Sequence, residues 1–462
     1  MSDDRPPSQA DIRLACAAAE GCAESRLLMT RRAMLGMSFG LYSWAFMPRY
    51  AEAATEAASD PRLLVVVLRG GMDGLSTVVP VGDRHYVSMR GDIAIPKSAT
   101  IKLDSLFGLH PALKNFGRLY QAGNASVVHA ACVPLRNRSH FDTQDNLENG
   151  LPDRASNTTG WLNRMLSALP KGRPIVANGA IQIGEAPLIL RGPAPVLGWS
   201  PAPYAHLKDP TLYMVRTLYR ERDPELLDVL DMGIKADQLA EGVDQDDGDI
   251  SSLRKAFRGA ARLVAAPKGP RIAVLAVGGW DTHADQGGAT GIFANVLGEL
   301  DNGIADFRKE CGNVWGQTVM VLATEFGRTV RVNGDRGTDH GVGTVALLAG
   351  GAVNGKRVHG DWPGLAPAKL FEGNDLRATT DLRAVFKGLL QDHIGVPRRL
   401  LDTVIFPESA RVAPMSGLVR AARRTSEGDA VASRVPNREE TAIARYRRGE
   451  STRAPAAPAL DL

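Results

Sequence analysis

The sequence lacks the features that identify nucleic-acid-binding proteins and proteins with cysteine-rich metal sites. Its 462 residues carry a formal net charge of only +4 and hold no basic run with interleaved aromatic residues, which argues against nucleic-acid binding. The four cysteines include no Cys-x-x-Cys pair, so a cysteine-rich metal site is excluded. The apolar fraction of 44% and the charged fraction of 23% are ordinary for a globular protein. Composition therefore leaves an enzyme or a binding protein as the alternatives.

The amino end carries the pattern of an export signal. Thr30-Arg31-Arg32 precedes the weakly apolar segment Met34–Met47, and Ala51-Glu52-Ala53, a small-x-small cleavage signal, follows it. The apolar segment is shorter than the roughly 20 residues of a transmembrane helix, so no stable membrane span is expected in the mature chain. The pattern resembles a twin-arginine signal, and the alternative is an ordinary N-terminal helix. It predicts that the twin-arginine translocation machinery delivers a periplasmic or extracellular protein and that residues 1–54 are removed near Ala53.

The cysteines divide around this signal. Cys16 and Cys22 would be lost with it, which leaves Cys132 and Cys311 in the mature chain. In an oxidising compartment these two residues could pair, or they could be buried as small hydrophobic residues. No lipobox cysteine follows the apolar segment, so a lipid anchor is not expected.

Three short apolar runs rich in β-branched residues predict buried, parallel strands. Each run presents polar side chains soon after it ends: Leu63–Leu68 is followed by Asp73, Ile272–Val277 by Asp281 and His283, and Thr318–Ala323 by Glu325 and Arg328. Ligands bind beyond the carboxyl ends of strands in open α/β sheets. These side chains are therefore expected to build one site.

Strands separated by helical segments predict an α/β domain over residues 60–415. Residues 181–207 are dense in proline and glycine and are predicted to be a loop. Together with the helical segments after them, they predict a helical and loop-rich insertion over about 181–267. Residues 421–462 hold too little apolar surface to order themselves, so they are predicted to be a disordered tail.

The segment RNRSHFD admits two interpretations. Ser139, with Asp142 three residues later, is typical of a capped helix start. The amino end of a helix also offers free N–H groups and the positive end of a dipole. A serine there could attack a phosphate or sulfate ester while Arg136 and Arg138 neutralise the substrate.

Histidine and carboxylate side chains recur in the later motifs. Asp339-His340 lies beside a glycine in GTDHG, and His359 ends the segment Val358-His359. Mixed oxygen and nitrogen ligands suit Zn²⁺, with Mn²⁺, Fe or Mg²⁺ as alternatives, better than Ca²⁺, which prefers oxygen alone. One ion could bind, or two ions about 4 Å apart could hold the attacking and leaving oxygens of an ester displacement.

The order of these motifs resembles the alkaline phosphatase-like superfamily of phosphatases and sulfatases. More closely, the chain is similar to an uncharacterised family of exported bacterial proteins, domain of unknown function 1501, over roughly Arg26 to Val412. The motifs that carry this resemblance are LRGGMDGL, RSHFD, GGWDTH, TEFGRT and TDHG.

The resemblance implies a mostly parallel β-sheet sandwiched between helices, divalent metal and a small anionic ester as substrate. The metal ligands it implies are Asp73, Asp281, His283, Asp339, His340 and His359. It implies Ser139 as the nucleophile, with a bound water or Thr143 as the alternative. We expect Arg136, Arg138 or Arg328 to stabilise the developing negative charge.

The sequence also departs from the superfamily pattern. Asp281 and His283 are separated by one residue, whereas the superfamily uses three. The alternative is therefore a catalytically degenerate member that binds a periplasmic ligand or partner. If the superfamily chemistry is kept, the ligand atoms of Asp73, Asp339 and His340 should converge within about 5 Å, since metal–ligand bonds are near 2 Å. Scattered ligand atoms would decide for the degenerate member.

Overall fold

The computed structural model describes residues 60–420 except 154–157, 174, 177–178, 186, 202–208 and 241–250. The predicted signal over 1–54 and the predicted tail over 421–462 lie outside the described residues. Cys132 and Cys311 are free and buried. Burial raises the pKa of the Cys132 thiol to about 11. Both cysteines are therefore unpaired with each other and are buried as small hydrophobic residues, which was one of the two predicted alternatives.

The strands are β1 (Arg62–Leu68), β2 (Val78–Val79), β3 (Ile101–Lys102), β4 (Gly108–Leu109), β5 (Ala125–Cys132), β6 (Ala180–Ile183), β7 (Val196–Trp199), β8 (Ile272–Val277), β9 (Thr318–Thr324), β10 (Gly327–Arg328), β11 (His340–Gly341), β12 (Thr344–Ala349), β13 (Val358–His359) and β14 (Thr380–Asp381). The helices are α1 (Gly74–Thr77), α2 (Tyr86–Arg90), α3 (Lys114–Gln121), α4 (His140–Asn149), α5 (Trp161–Ala168), α6 (Asp209–Arg222), α7 (Pro224–Ala240), α8 (Ser252–Ala265), α9 (Ile292–Glu310), α10 (Leu382–Leu389) and α11 (Arg398–Leu400).

A nine-stranded sheet forms the centre of the molecule. Its strand order is β13-β5-β12-β9-β1-β8-β6-β7, with β14 also pairing with β5. Strand β12 runs antiparallel to β5 and β9, and the other described pairings in this sheet are parallel. The carboxyl ends of β1, β5, β6, β7, β8 and β9 therefore meet at one edge.

Helices cover both faces of this sheet. Every residue of β1 is buried, and its side chains alternate between two apolar clusters. Phe257 of α8 and Phe293 of α9 belong to the cluster on one face, whereas Trp161 of α5 and Phe386 of α10 belong to the cluster on the other. A parallel strand covered on both faces has no solvated side, which explains its unbroken apolar sequence. The predicted fold class, a mostly parallel sheet sandwiched between helices, is confirmed.

Two strands, β6 and β7, lie where a loop was predicted over residues 181–207, so that prediction is wrong there. Strand β6 pairs with β8, and β7 pairs with β6, so both extend the central sheet. Ile181 and Ile183 are buried, which shows that two alternating apolar side chains suffice here for a four-residue strand. The surrounding glycines and prolines masked this short pattern.

Among the described residues, no helix is both long and apolar enough to cross a membrane.

Candidate metal centre

Three polar side chains converge at the carboxyl edge of the sheet. They are His140, the first residue of α4, Asp281, in the loop after β8, and His340 of β11. One ligand atom from each lies within 4.8 Å of the others. Nε2 of His340 lies 3.1 Å from Oδ1 of Asp281, and Nε2 of His140 lies 3.4 Å from Oδ2 of the same carboxylate. Each oxygen of Asp281 thus faces one imidazole.

His283 turns toward the same carboxylate. Its Nε2 atom lies 3.0 Å from Oδ1 of Asp281 and 3.0 Å from Nε2 of His340. The two-residue spacing of Asp281 and His283, which departs from the superfamily pattern, still brings both side chains to one point. His283 therefore contributes a third imidazole beside the three-residue group.

The opposite nitrogen of each imidazole has an acceptor. Nδ1 of His140 lies 2.8 Å from Oε1 of Glu325, and Nδ1 of His283 lies 3.2 Å from Oδ1 of Asp339. Nδ1 of His340 lies 2.8 Å from the carbonyl oxygen of Arg138. Since a carbonyl or an ionised carboxylate only accepts, we assign the proton of each neutral ring to Nδ1. The lone pairs on Nε2 then face Asp281, as in histidines that ligate metals.

This arrangement fits a divalent cation. Nε2 of His140 is buried and has no hydrogen-bond partner among the described residues. With the Nδ1 protons assigned above, the Nε2 lone pairs of His283 and His340 face each other and Oδ1 of Asp281. The guanidinium of Arg328 supplies one positive charge at this point, because it donates to Oδ1 of Asp281 and its Nη1 lies 3.5 Å from Nε2 of His283. Imidazole nitrogen with carboxylate oxygen is a donor set that suits zinc.

Glu325 orients the His140 ring through a hydrogen bond to its Nδ1 atom. Its Oε1 atom accepts hydrogen bonds from the backbone N–H of Gly70 at 2.8 Å and from the Gln144 amide at 3.0 Å, in addition to His140. Burial alone raises the pKa of this carboxyl, but these hydrogen bonds, led by that of Gln144, bring it below its ordinary value. Glu325 is therefore an ionised acceptor for the His140 ring.

Arg328 was predicted to stabilise developing charge on a substrate, and that role stays a prediction. Its fully buried guanidinium donates to Asp281 and to four carbonyl oxygens, those of Gly70, Gly71, Trp280 and Thr338. Burial raises the pKa of Asp281, but Arg328, His340 and His283 outweigh that effect and lower it. Arg328 thus joins three loops and orients Asp281.

Arg138 was predicted to have the same role, which also stays a prediction. Its guanidinium donates to Asp375 at 2.7 Å and to Glu372 at 2.8 Å, so these two carboxylates neutralise it. The contribution of Arg138 to the centre is its backbone carbonyl oxygen, which accepts from His340.

Ser139 forms the helix cap that one of its two interpretations predicted. Its hydroxyl oxygen lies 3.5 Å from the backbone nitrogen of Asp142, and its carbonyl oxygen accepts from the backbone N–H of Thr143. The side chain is half-buried, next to the His140 ligand. A role as nucleophile stays a prediction.

Asp73, predicted to be the first metal ligand, lies outside the converging group. It is fully buried and paired with the equally buried Arg90, and it accepts from Ser76 at 2.8 Å and Gln286 at 2.6 Å. The oxygen of the Gln286 amide in turn accepts from Thr282 and Thr338, which lie beside the residues of the centre. Asp73 therefore supports the site loops through hydrogen bonds.

Two further predicted ligands take other positions. Asp339 contacts the centre through Nδ1 of His283 and also accepts from Asn333 at 3.0 Å. His359 lies on β13 opposite Val128 of β5, and it is not part of the converging group. The expected convergence of Asp73, Asp339 and His340 is therefore not found, and His140 with Asp281 completes the group instead.

His140 was not among the metal ligands predicted from the sequence, yet it belongs to the converging group. It directly follows Ser139 in RSHFD, the residue of this segment for which a cap or nucleophile role was predicted. The sequence signal for His140 was its position at a predicted helix start beside the polar RSHFD motif. A second signal was Glu325, a carboxylate after a buried strand that requires a hydrogen-bond donor.

A family model described as a protein of unknown function (DUF1501) matches residues 129–405, more than half of the chain. The matched range begins within β5, so LRGGMDGL precedes it. No curated protein sequence matches the chain.

Solved structures show distant likeness. A zinc complex of the C-terminal periplasmic domain of EcEptC from Escherichia coli has 10% identity and a TM-score of 0.31, over 63% of this chain and 73% of that one. The phosphonate monoester hydrolase of Agrobacterium radiobacter has 9% identity and a TM-score of 0.27, over 62% and 67%. BT1596, a 2-O GAG sulfatase, has 10% identity and a TM-score of 0.27, over 65% and 66%. Likeness at this level carries no argument about activity.

Proposed function

Since this chain belongs to the DUF1501 family of proteins of unknown function, we propose its activity from its own residues: it is an exported, metal-dependent hydrolase of phosphate or sulfate esters. The observation that supports this proposal is the convergence of three imidazole rings on Asp281, each with Nδ1 engaged and Nε2 directed inward.

The residues that would hold the ion are His140, Asp281 and His340, with His283 at their side. Zinc suits this donor set best, and manganese, iron or magnesium are the alternatives. The chemistry that such an ion supplies is Lewis-acid polarisation of an ester oxygen. The described residues bring together one such group, which favours a single ion.

His283 and Asp339 form a pair suited to proton transfer. Asp339 accepts from Nδ1 of His283, which leaves Nε2 able to take a proton. The side chain of His283 is 45% exposed, so a substrate or water can reach it. In this proposal Nε2 of His283 accepts the proton of the attacking hydroxyl, which belongs to Ser139 or to water. It then donates this proton to the alcohol oxygen, which leaves as its bond to phosphorus or sulfur breaks. Where Ser139 attacks, water afterwards hydrolyses the seryl ester and restores the hydroxyl.

Two observations favour a second function, ligand binding without hydrolysis. The convergence of Asp73, Asp339 and His340 that kept superfamily chemistry requires is not found, since the converging group is His140, Asp281 and His340. The guanidinium groups of Arg138 and Arg328 are neutralised by carboxylates, and Arg90 neutralises Asp73. Fewer free groups then remain to stabilise developing charge in a transition state. A chain that binds metal and an anion but turns over no ester would have this second function.

The test uses the mature chain purified from its own compartment, with metal content measured by mass spectrometry and turnover measured on a panel of phosphate and sulfate esters. We expect about one metal per chain, and loss of both metal and turnover in His140→Ala because one ligand is removed. The matched control is Phe141→Ala, whose side chain is 87% exposed on the next residue of α4. Wild-type protein without metal, or metal retained in His140→Ala, would overturn the proposal.

A further inference from the structure

A cavity of about 630 Å³ lies beside the metal centre, at the same edge of the sheet. Its floor and one wall come from the carboxyl ends of β6, β7 and β8, and the facing wall comes from the first turns of α8. Small-molecule sites typically measure about 300–1,000 Å³, so this cavity has the size of a small organic ligand.

The lining combines an apolar body with a few polar groups. Leu253, Ala256, Leu275 and Val277 are among its apolar residues. The polar residues of the lining include Lys255 and Glu185. Such a lining favours a ligand with an apolar body that also offers groups for hydrogen bonding.

The cavity and the metal centre share strand β8. Gly278, directly after β8, lines the cavity, and Asp281 follows three residues later. The centre extends from β8 toward β1 and β9, whereas the cavity extends from β8 toward β6 and β7. Since adjacent strands are about 4.8 Å apart, the cavity and the centre occupy neighbouring positions along one edge of the sheet.

Gly278, between the cavity and Asp281, is exposed. Apart from its two chain neighbours, the described residues place no atom within 4 Å of the position that its Cβ would take. Arg69, the residue after β1, donates to Glu148 at 3.0 Å, and its other terminal nitrogen lies 3.9 Å from Glu185 of the cavity. These two carboxylates neutralise Arg69, which thereby links the loop after β1 to the cavity.

We propose that this cavity binds the alcohol part of the ester whose phosphate or sulfate group reacts at the metal centre, and that this alcohol has an apolar, ring-sized body with hydrogen-bonding groups. The inference rests on the proposed function and names its substrate class. Binding of the part of a substrate that does not react supplies the free energy that positions the reacting group. Esters of small alcohols are then poor substrates.

The test fills the cavity without touching the centre. Ala256→Phe places a ring in the cavity from α8, and Ala265→Phe, in the last turn of the same helix and outside the lining, is the matched control. Binding of 2-naphthol to metal-loaded protein is followed by its fluorescence, and hydrolysis of 2-naphthyl phosphate is compared with that of methyl phosphate. We expect about tenfold weaker naphthol binding and a correspondingly raised KM for the naphthyl ester in Ala256→Phe, because a ring occupies the site. The control and methyl phosphate should be unchanged.

A second variant guards against misfolding. Ser252→Phe adds the same bulk from the exposed first residue of α8, and it should weaken naphthol binding in the same way. Absence of saturable naphthol binding to wild type, or equal binding in both cavity variants and the control, overturns the inference. Naphthol binding that depends on Ala256, without hydrolysis of any ester, supports the cavity while the proposed function fails. The two failures are therefore distinguishable.

Discussion

The buried ion pair of Asp73 and Arg90 makes a sharp prediction about stability. Both side chains are fully buried, and Arg90 also donates to Ser76 and to the carbonyl oxygen of Thr329. Arg90→Met keeps most of the side-chain length but leaves the Asp73 carboxylate buried without its cation. Breaking a buried pair in this way costs about 3–5 kcal/mol of unfolding free energy.

Urea denaturation of the mature chain, followed by tryptophan fluorescence, measures this cost. The control is Arg336→Met, which removes an exposed ion pair with Asp285. Exposed pairs are worth about 0–1 kcal/mol, so the control should lie near wild type. Adding Asp73→Asn to Arg90→Met should restore part of the loss, because no unpaired charge then remains. If Arg90→Met costs no more than Arg336→Met, the structural role assigned to Asp73 is wrong.

The same pair predicts a dependence on pH. Burial raises the pKa of Asp73, but Arg90 and the hydrogen bonds of Gln286 and Ser76 lower it below its ordinary value. A carboxyl with a lowered pKa in the folded state stabilises the fold above its unfolded pKa of about 3.9 and loses that contribution as pH falls further. Wild type should therefore lose more unfolding free energy than Arg90→Met between pH 5 and pH 3.

Two further predictions concern metal affinity and export. Glu325→Gln should weaken zinc binding about 10- to 100-fold, since it removes the ionised acceptor behind His140, and competition titration with a chelating dye measures this. Unchanged affinity would contradict the role of Glu325 in holding the His140 ring. Replacing Arg31-Arg32 by two lysines should leave uncleaved precursor in the cytoplasm, because the export signal is then lost. Cell fractionation with immunoblotting checks this, and normal export of that variant would contradict the twin-arginine signal.

The strands could be predicted because their signal is local. Ile272–Val277 is an unbroken apolar run, and such a run can be buried on both faces only inside a covered parallel sheet. The prediction that side chains after β8 and β9 meet also follows from topology, since carboxyl ends of parallel strands share an edge. Asp281 and Glu325 were placed at the site on this ground.

The partner and the burial of each carboxylate could not be predicted from the sequence in the same way. Asp73 and Asp281 both follow a buried strand and a glycine pair, yet Arg90 neutralises the first inside the protein, whereas the second lies half exposed among imidazoles. Arg90 and Arg328 are remote from one another in sequence, and nothing in their local motifs distinguishes the carboxylate that each one contacts.

The sequence by itself determined the layered α/β architecture and the edge of the sheet where polar loops gather, because periodicity and strand direction act over a few residues. Only the tertiary structure decided which atoms form the centre. His140, Asp281 and His340 come from three separate segments, and their contacts depend on distances that only packing sets. It also decided that Asp73 and Arg328 take partners of opposite charge inside the protein, since a buried charge without such a partner is destabilising.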